Sequence, residues 1–90
     1  MYNIHYTNQF KKDYKLVLRR GNKESIIKTV VSIITKKELL PSKYKQHKLS
    51  GKYVDCWECH LTPDWLLIWQ IDEIEEILTL IRTGSHSDLF

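Results

Sequence analysis

Glu24-Ser25-Ile26-Ile27-Lys28-Thr29-Val30-Val31-Ser32-Ile33-Ile34-Thr35 can be read as a strand or as a helix, and the fold class turns on which. Its apolar residues are all β-branched, which suits the pleated surface of a sheet. They come in doublets three or four residues apart, however, which is the period of a helix and fails the alternation of a half-buried strand. Propensity is the weaker guide, because tertiary burial overrides it. The spacing therefore predicts a helix, capped by Asn22 and ended by Pro41, whose ring cannot continue it. Upstream, Phe10, Tyr14, Val17 and Leu18 share one face of a second helix. Thr7 is its expected cap, and Gly21 its stop through a left-handed backbone. Residues 7–40 thus form a helical hairpin.

Working outward, Tyr2-Asn3-Ile4-His5-Tyr6 alternates as a short strand, with Tyr2, Ile4 and Tyr6 expected to face the core. Residues 41–52 form a basic connector. Three strands follow, expected over Tyr53–His60, Trp65–Ile71 and Ile74–Arg82. The predicted class is α+β, in one domain spanning 1–90. An N-terminal strand and a helical hairpin pack on a mostly antiparallel sheet, which a C-terminal three-stranded meander completes. Each helix has a single apolar stripe, so both must cover one face.

Composition is that of a globular chain, with 42% hydrophobic and 28% charged residues. No run of apolar residues is long enough to span a membrane. The first residues lack the basic and apolar regions of a signal peptide, so a cytoplasmic protein is expected. Charge is unevenly spread. Residues 1–52 carry 13 of the 14 Lys and Arg against three acids, a surplus of +10, whereas residues 53–90 stand at −7. A half this basic suits a polyanionic partner, nucleic acid first.

Two segments carry chemistry. Arg82-Thr83-Gly84-Ser85-His86-Ser87-Asp88-Leu89-Phe90 brings a phosphate-neutralising fork, a side chain that can carry a proton near neutral pH and a ring that can stack on a base. His60-Leu61-Thr62-Pro63-Asp64 reads as a hairpin with 61–63 as its loop. That places His60 opposite Asp64, with Cβ atoms about 4.5–5.5 Å apart. Cys56-Trp57-Glu58-Cys59-His60 matches the haem attachment pattern in letters only. Alternation along a strand sends Cys56 and Cys59 to opposite faces, which also argues against a zinc site. The histidines have no metal-binding spacing, so neither a metal nor another cofactor is expected. RNA supplies its own nucleophile, the 2′-OH. Cutting it needs a base, an acid and a cation, and His, Asp and Arg supply these. Trp65 is read either as core or as a stacking platform.

Tyr44-Lys45-Gln46-His47-Lys48-Leu49-Ser50-Gly51, Glu58-Cys59-His60, Pro63-Asp64-Trp65 and the Arg82–Phe90 segment together resemble the YafQ type of the RelE toxin superfamily. The resemblance runs over essentially the whole chain. It implies a ribosome-dependent endoribonuclease that cuts mRNA in the A site of the 70S ribosome and is held inactive by a cognate antitoxin. It also implies an active site of His47, His60, Asp64, Arg82, His86 and Phe90. His86 is expected as general acid, and either His47 or Asp64 as base. His60 and Arg82 then stabilise the phosphate, and Phe90 positions a base. Relatives often carry an arginine where this chain has Trp57, so Lys45, Lys48 or Lys52 is expected to supply the missing cation. The alternative is a ParE-like inhibitor of DNA gyrase on the same scaffold, since fold alone does not fix function.

Overall fold

A computed structural model describes residues 1–90. The elements in order are β1 (Asn3–Tyr6), α1 (Asn8–Arg19), α2 (Glu24–Thr35), β2 (His47–Lys48), β3 (Trp57–Thr62), β4 (Trp65–Asp72), β5 (Ile77–Gly84) and α3 (His86–Leu89). Single 3₁₀ turns at Ser42–Tyr44 and Gly51–Tyr53 flank β2. The period-based reading of residues 24–35 holds. Ile27, Val30 and Ile34 are buried on one face of α2, so packing prevails over β-branched propensity.

Thr7 caps α1, its hydroxyl accepting from the Phe10 amide, and Gly21 follows with φ +94°. Asn22 does not cap α2, as the sequence suggested. Its side chain instead donates to the Val17 carbonyl, closing the end of α1, and Lys23 precedes α2 with no side-chain cap. Nor does Pro41 end α2. The helix stops at Thr35, where Lys37 takes a left-handed turn at φ 61°.

The sheet has five strands in the order β1-β5-β4-β3-β2. Only the β1–β5 pair is parallel; the other three are antiparallel. The short β2 lies inside what the sequence suggested was a plain connector. Residues around Tyr53 form a turn, so β3 begins at Trp57 rather than at 53. The main core lies between the helices and one sheet face, and includes Phe10, Val17, Ile27, Val30, Cys59, Trp65, Leu67, Trp69 and Leu80. A smaller cluster of Tyr53, Cys56, Leu66, Ile68 and Leu89 packs on the opposite face. Cys56 and Cys59 thus fall on opposite sides, as alternation requires. Of the predicted inward face of β1, Tyr2 is buried and Ile4 half-buried, while Tyr6 stays half exposed.

β1 pairs with β5 only as far as Tyr6 and Leu80. Beyond that point α1 takes over the open edge of β5. Thr7 donates its hydroxyl to the Ile81 carbonyl, and Asp13 accepts from the Thr83 amide. An uncovered edge would leave backbone groups unpaired, and α1 removes that liability. The side chains of the site hang from this covered end of the sheet.

Candidate active site

The hairpin between β3 and β4 is tighter than expected. Thr62 pairs with Trp65, and a bulge between His60 and Thr62 shifts the register, leaving Pro63-Asp64 at the turn. His60 therefore faces Leu66 across the strands and not Asp64. Asp64 reaches instead to His86. Its Oδ1 lies 2.6 Å from His86 Nδ1 and accepts from the His86 backbone N–H at 3.0 Å. These two bonds, the backbone one first, hold the Asp64 carboxyl below the usual carboxylate range. A carboxylate on Nδ1 fixes the proton there and leaves His86 Nε2 free to face a substrate.

His86 opens α3, a helix the sequence reading missed. The signal was present as Ser85-His86-Ser87-Asp88. Ser85 accepts from the Asp88 amide, and the Asp88 carboxylate accepts from the Ser85 amide, a reciprocal capping box. Arg20, which caps the end of α1, clamps Asp88 at 2.6 and 3.2 Å. That ion pair, with the Ser85 amide, holds the Asp88 carboxyl far below its ordinary range. Gly84 is needed because a Cβ there would sit 2.9 Å from Asp88 Oδ2.

A second carboxylate–histidine pair lies across the sheet. His47 on β2 is opposite Glu58 on β3, with Nε2 3.1 Å from Oε1. Its Nδ1 lies 2.8 Å from the Lys45 carbonyl, which a left-handed residue (φ 50°, ψ 48°) turns toward the ring. Glu58 is only 4% exposed, and its Oε2 is buried with no partner. An acid buried on a strand face is costly without a role, because unpaired polar groups pay the full desolvation cost. The sequence reading passed over Glu58. Its signal was position, two residues before His60 and so on the same face of β3.

His60 stands between these pairs. Its ring centroid is 6.2 Å from that of His47 and 5.6 Å from that of His86. Three imidazoles thus form a file with a carboxylate at each end. No three His, Cys, Asp or Glu side chains converge closely enough to hold a metal ion.

Arg82 is already paired. Its Nε and Nη2 both donate to Asp13 of α1 at 2.9 Å, a two-pronged bond to a buried carboxylate. Burial works to raise the Asp13 carboxyl, but the bonds from Arg82, Gln9 and Thr83 outweigh it and hold it below its ordinary range. Asp13 raises the Arg82 guanidinium in turn. Asp13 sits where α1 was expected to be apolar, so spacing alone hid it. The outer side of Arg82 lines a cleft with Lys52, Tyr53 and Phe90. Phe90 is 66% exposed and packs edge-on against Tyr53 at 5.8 Å. Lys52 Nζ lies 5.4 Å from the Tyr53 ring centre.

Two expected substrate contacts, Trp65 and Lys48, need correction. Trp65 is not a stacking platform. It is 1% exposed, and its indole donates to Thr83 Oγ1 inside the core. Lys48 sits over the Trp57 ring at 5.0 Å. Trp57 itself packs against the helix-side core, so both lie on the side away from His60. For the same reason, a cation at position 57 would not face the histidines. Lys45 and Lys52 do border the site.

The chain and its five-stranded sheet have counterparts among known proteins. The sequence matches the family model described as "Bacterial toxin of type II toxin-antitoxin system, YafQ" over residues 2–90. The chain belongs to the YafQ toxin family. A YafQ relative, the mRNA interferase toxin YafQ of Escherichia coli K12, is 34% identical over 88 residues, covering 97% of this chain and 94% of the relative. The crystal structure of a metal-bound toxin from Helicobacter pylori matches at a TM-score of 0.94 and 41% identity over the full length of both chains. YafQ in the E. coli DinJ-YafQ complex matches at 0.89 and 33%, covering 100% of this chain and 99% of that one. The α+β architecture of the YafQ and RelE-like toxins is therefore the fold of this chain, with no helix long and apolar enough to cross a membrane.

Proposed function

We propose that this YafQ-family toxin is a ribosome-dependent endoribonuclease that cuts mRNA in the A site. The observation carrying the proposal is the His47–His60–His86 file with Glu58 and Asp64 at its ends. It supplies proton transfer at two separated points, which the reaction needs. The 2′-oxygen attacks the adjacent phosphorus as its proton goes to the base. The bond from phosphorus to the 5′-oxygen then breaks, and that oxygen takes a proton from the acid. The products are a 2′,3′-cyclic phosphate and a free 5′-OH.

His86 is the acid. Asp64 holds its Nδ1–H and stabilises the imidazolium, leaving Nε2–H to protonate the departing oxygen. Asp64 is committed to that bond, so the base is the His47–Glu58 pair. In its deprotonated form the pair has a lone pair on Nε2 beside a carboxylate, and takes up the 2′-OH proton between them. His60, midway, faces the phosphorane. Arg82 contributes from its outer edge, because Asp13 already holds the other. Lys45 and Lys52 add the unpaired positive charge, and Phe90 stacks on a base.

The mRNA interferase name of the E. coli relative supports the substrate class. The DinJ-YafQ assembly supports a cognate antitoxin as partner, for which the +10 half offers complementary charge to an acidic segment. The test is to map new RNA 5′ ends after adding the protein to programmed 70S ribosomes and to ribosome-free mRNA. Cuts confined to the A-site codon and present only with ribosomes are expected. Folded, antitoxin-free protein that leaves both mRNAs intact would overturn the proposal, and poisoned supercoiling by gyrase would put the ParE-like reading in its place.

A further inference from the structure

A scissile phosphate has a nucleotide on each side, so an RNA strand lying on the histidine file must leave it in two directions. One exit is the cleft of Lys52, Tyr53, Arg82 and Phe90. On the other flank of His60, at the edge where the sheet meets α2, lies a separate cleft of about 420 Å³, roomy enough for a nucleotide, walled by Ile26 of α2 with Lys43, Tyr44, Lys45, Leu61, Thr62 and Pro63. No acidic side chain lines it. Lys43 Nζ lies 5.1 Å from the centre of the half-buried Tyr44 ring. Two ammonium groups, a hydroxyl and an aromatic face thus border one opening.

We infer that this cleft is a second RNA subsite. It takes one nucleotide flanking the cleaved bond, the base against Tyr44 and Pro63 and the phosphate between Lys43 and Lys45. The inference rests on the proposed nuclease reading and adds Lys43 and Tyr44, which are outside the catalytic file. The wall is built in advance. Lys43 and Tyr44 lie in the 3₁₀ turn Ser42–Tyr44, and the left-handed Lys45 that ends it gives its carbonyl to His47. The subsite and the base pair therefore share one backbone corner, so a nucleotide seated here is held in register with the 2′-OH beside it. Aromatic stacking tolerates any base, and lysine contacts respond to phosphate alone, so the cleft adds affinity without sequence preference.

The test uses the full chain and a single-stranded RNA hexanucleotide with every 2′-OH methylated, which binds without reacting. Amide shifts are followed during titration, and Kd is measured against salt. Saturable shifts at Lys43, Tyr44, Lys45 and Thr62 are expected. Tyr44→Ala should weaken binding about tenfold, the scale of one base–aromatic stack. Lys43→Ala should lower the slope of log K against log salt by about 0.7, one phosphate contact on a single strand. Lys43 is exposed, so its variant remains informative if Tyr44→Ala fails to fold. Shifts confined to the Lys52–Phe90 cleft, no saturable binding, or an unchanged Kd and salt slope in Lys43→Ala would overturn the inference. Failure of the nuclease reading shows elsewhere, as intact mRNA on ribosomes treated with wild-type protein.

Discussion

Replacing Asp13 with alanine removes four hydrogen bonds at once, two from Arg82 and one each from Thr83 and Gln9. It strands a guanidinium that is itself largely buried. Breaking a buried ion pair from one side costs about 3–5 kcal/mol. The Arg82 side chain keeps 20% of its exposure and can recover some hydration, so about 2–4 kcal/mol is expected here. A domain of this size has roughly 5–13 kcal/mol in total, at about 0.05–0.15 kcal/mol per residue. At about 4–8 °C per kcal/mol, Tm should fall by roughly 10–30 °C. Arg82→Met added to Asp13→Ala should cost less than the two single changes together, because no charge is then left unpaired. The pH dependence has a definite sign. The folded carboxyl lies below its unfolded value of 3.8, so the stabilisation is full above that value and is lost as pH falls through the folded one. Circular dichroism melts at pH 7 and pH 3 read all of this. An Asp13→Ala protein melting within about 3 °C of wild type at pH 7 would refute the reasoning.

Other expectations follow from the same geometry. His86→Ala should leave the melt unchanged and slow A-site cleavage by about 10²–10⁴-fold, the contribution of one positioned proton donor, measured in single-turnover reactions on programmed ribosomes. Glu58→Gln should slow cleavage while leaving Tm equal to or above wild type, since a buried carboxylate with an orphan oxygen is replaced by a neutral group; a large drop in Tm would assign Glu58 to structure instead. Gly84→Ala should push the Asp88 side chain off its cap, open the Arg20 ion pair and lower activity and Tm together, and a crystal structure with both bonds intact would contradict it.

The order of the main elements and the covered face were legible because apolar spacing survives in the sequence whatever the propensities are, as residues 24–35 show, whereas the short β2 and α3 carry too few residues for a period. Loop geometry was not. One bulge between His60 and Thr62 moved Asp64 from His60 to His86, and no composition rule encodes a bulge. The chemistry of the site was legible in residue types, yet its pairing was not. Asp13 and Glu58 are acids buried where alternation or helical period led one to expect packing, and their partners lie 69 and 11 positions away in the chain. Asn22 was read as opening a helix when it closes the previous one, because one side chain can serve either end of so tight a turn.

The place of β5 in the sheet bears on how the toxin comes into being. It lies between β1 and β4, yet it is the last of the five strands to be synthesised. Until Ile77–Leu80 emerge, the first strand has no neighbour at all, and α1 has no edge to shield. His86 and Phe90 come later still. A growing chain therefore carries His47, His60 and all its lysines out of the ribosome before β1 and α1 have the strand they pack on. A nonsense mutation before Ile77 should behave as a complete loss of function, however much of the active site it spares. A truncated protein that still melts cooperatively would show that the sheet can close without its keystone.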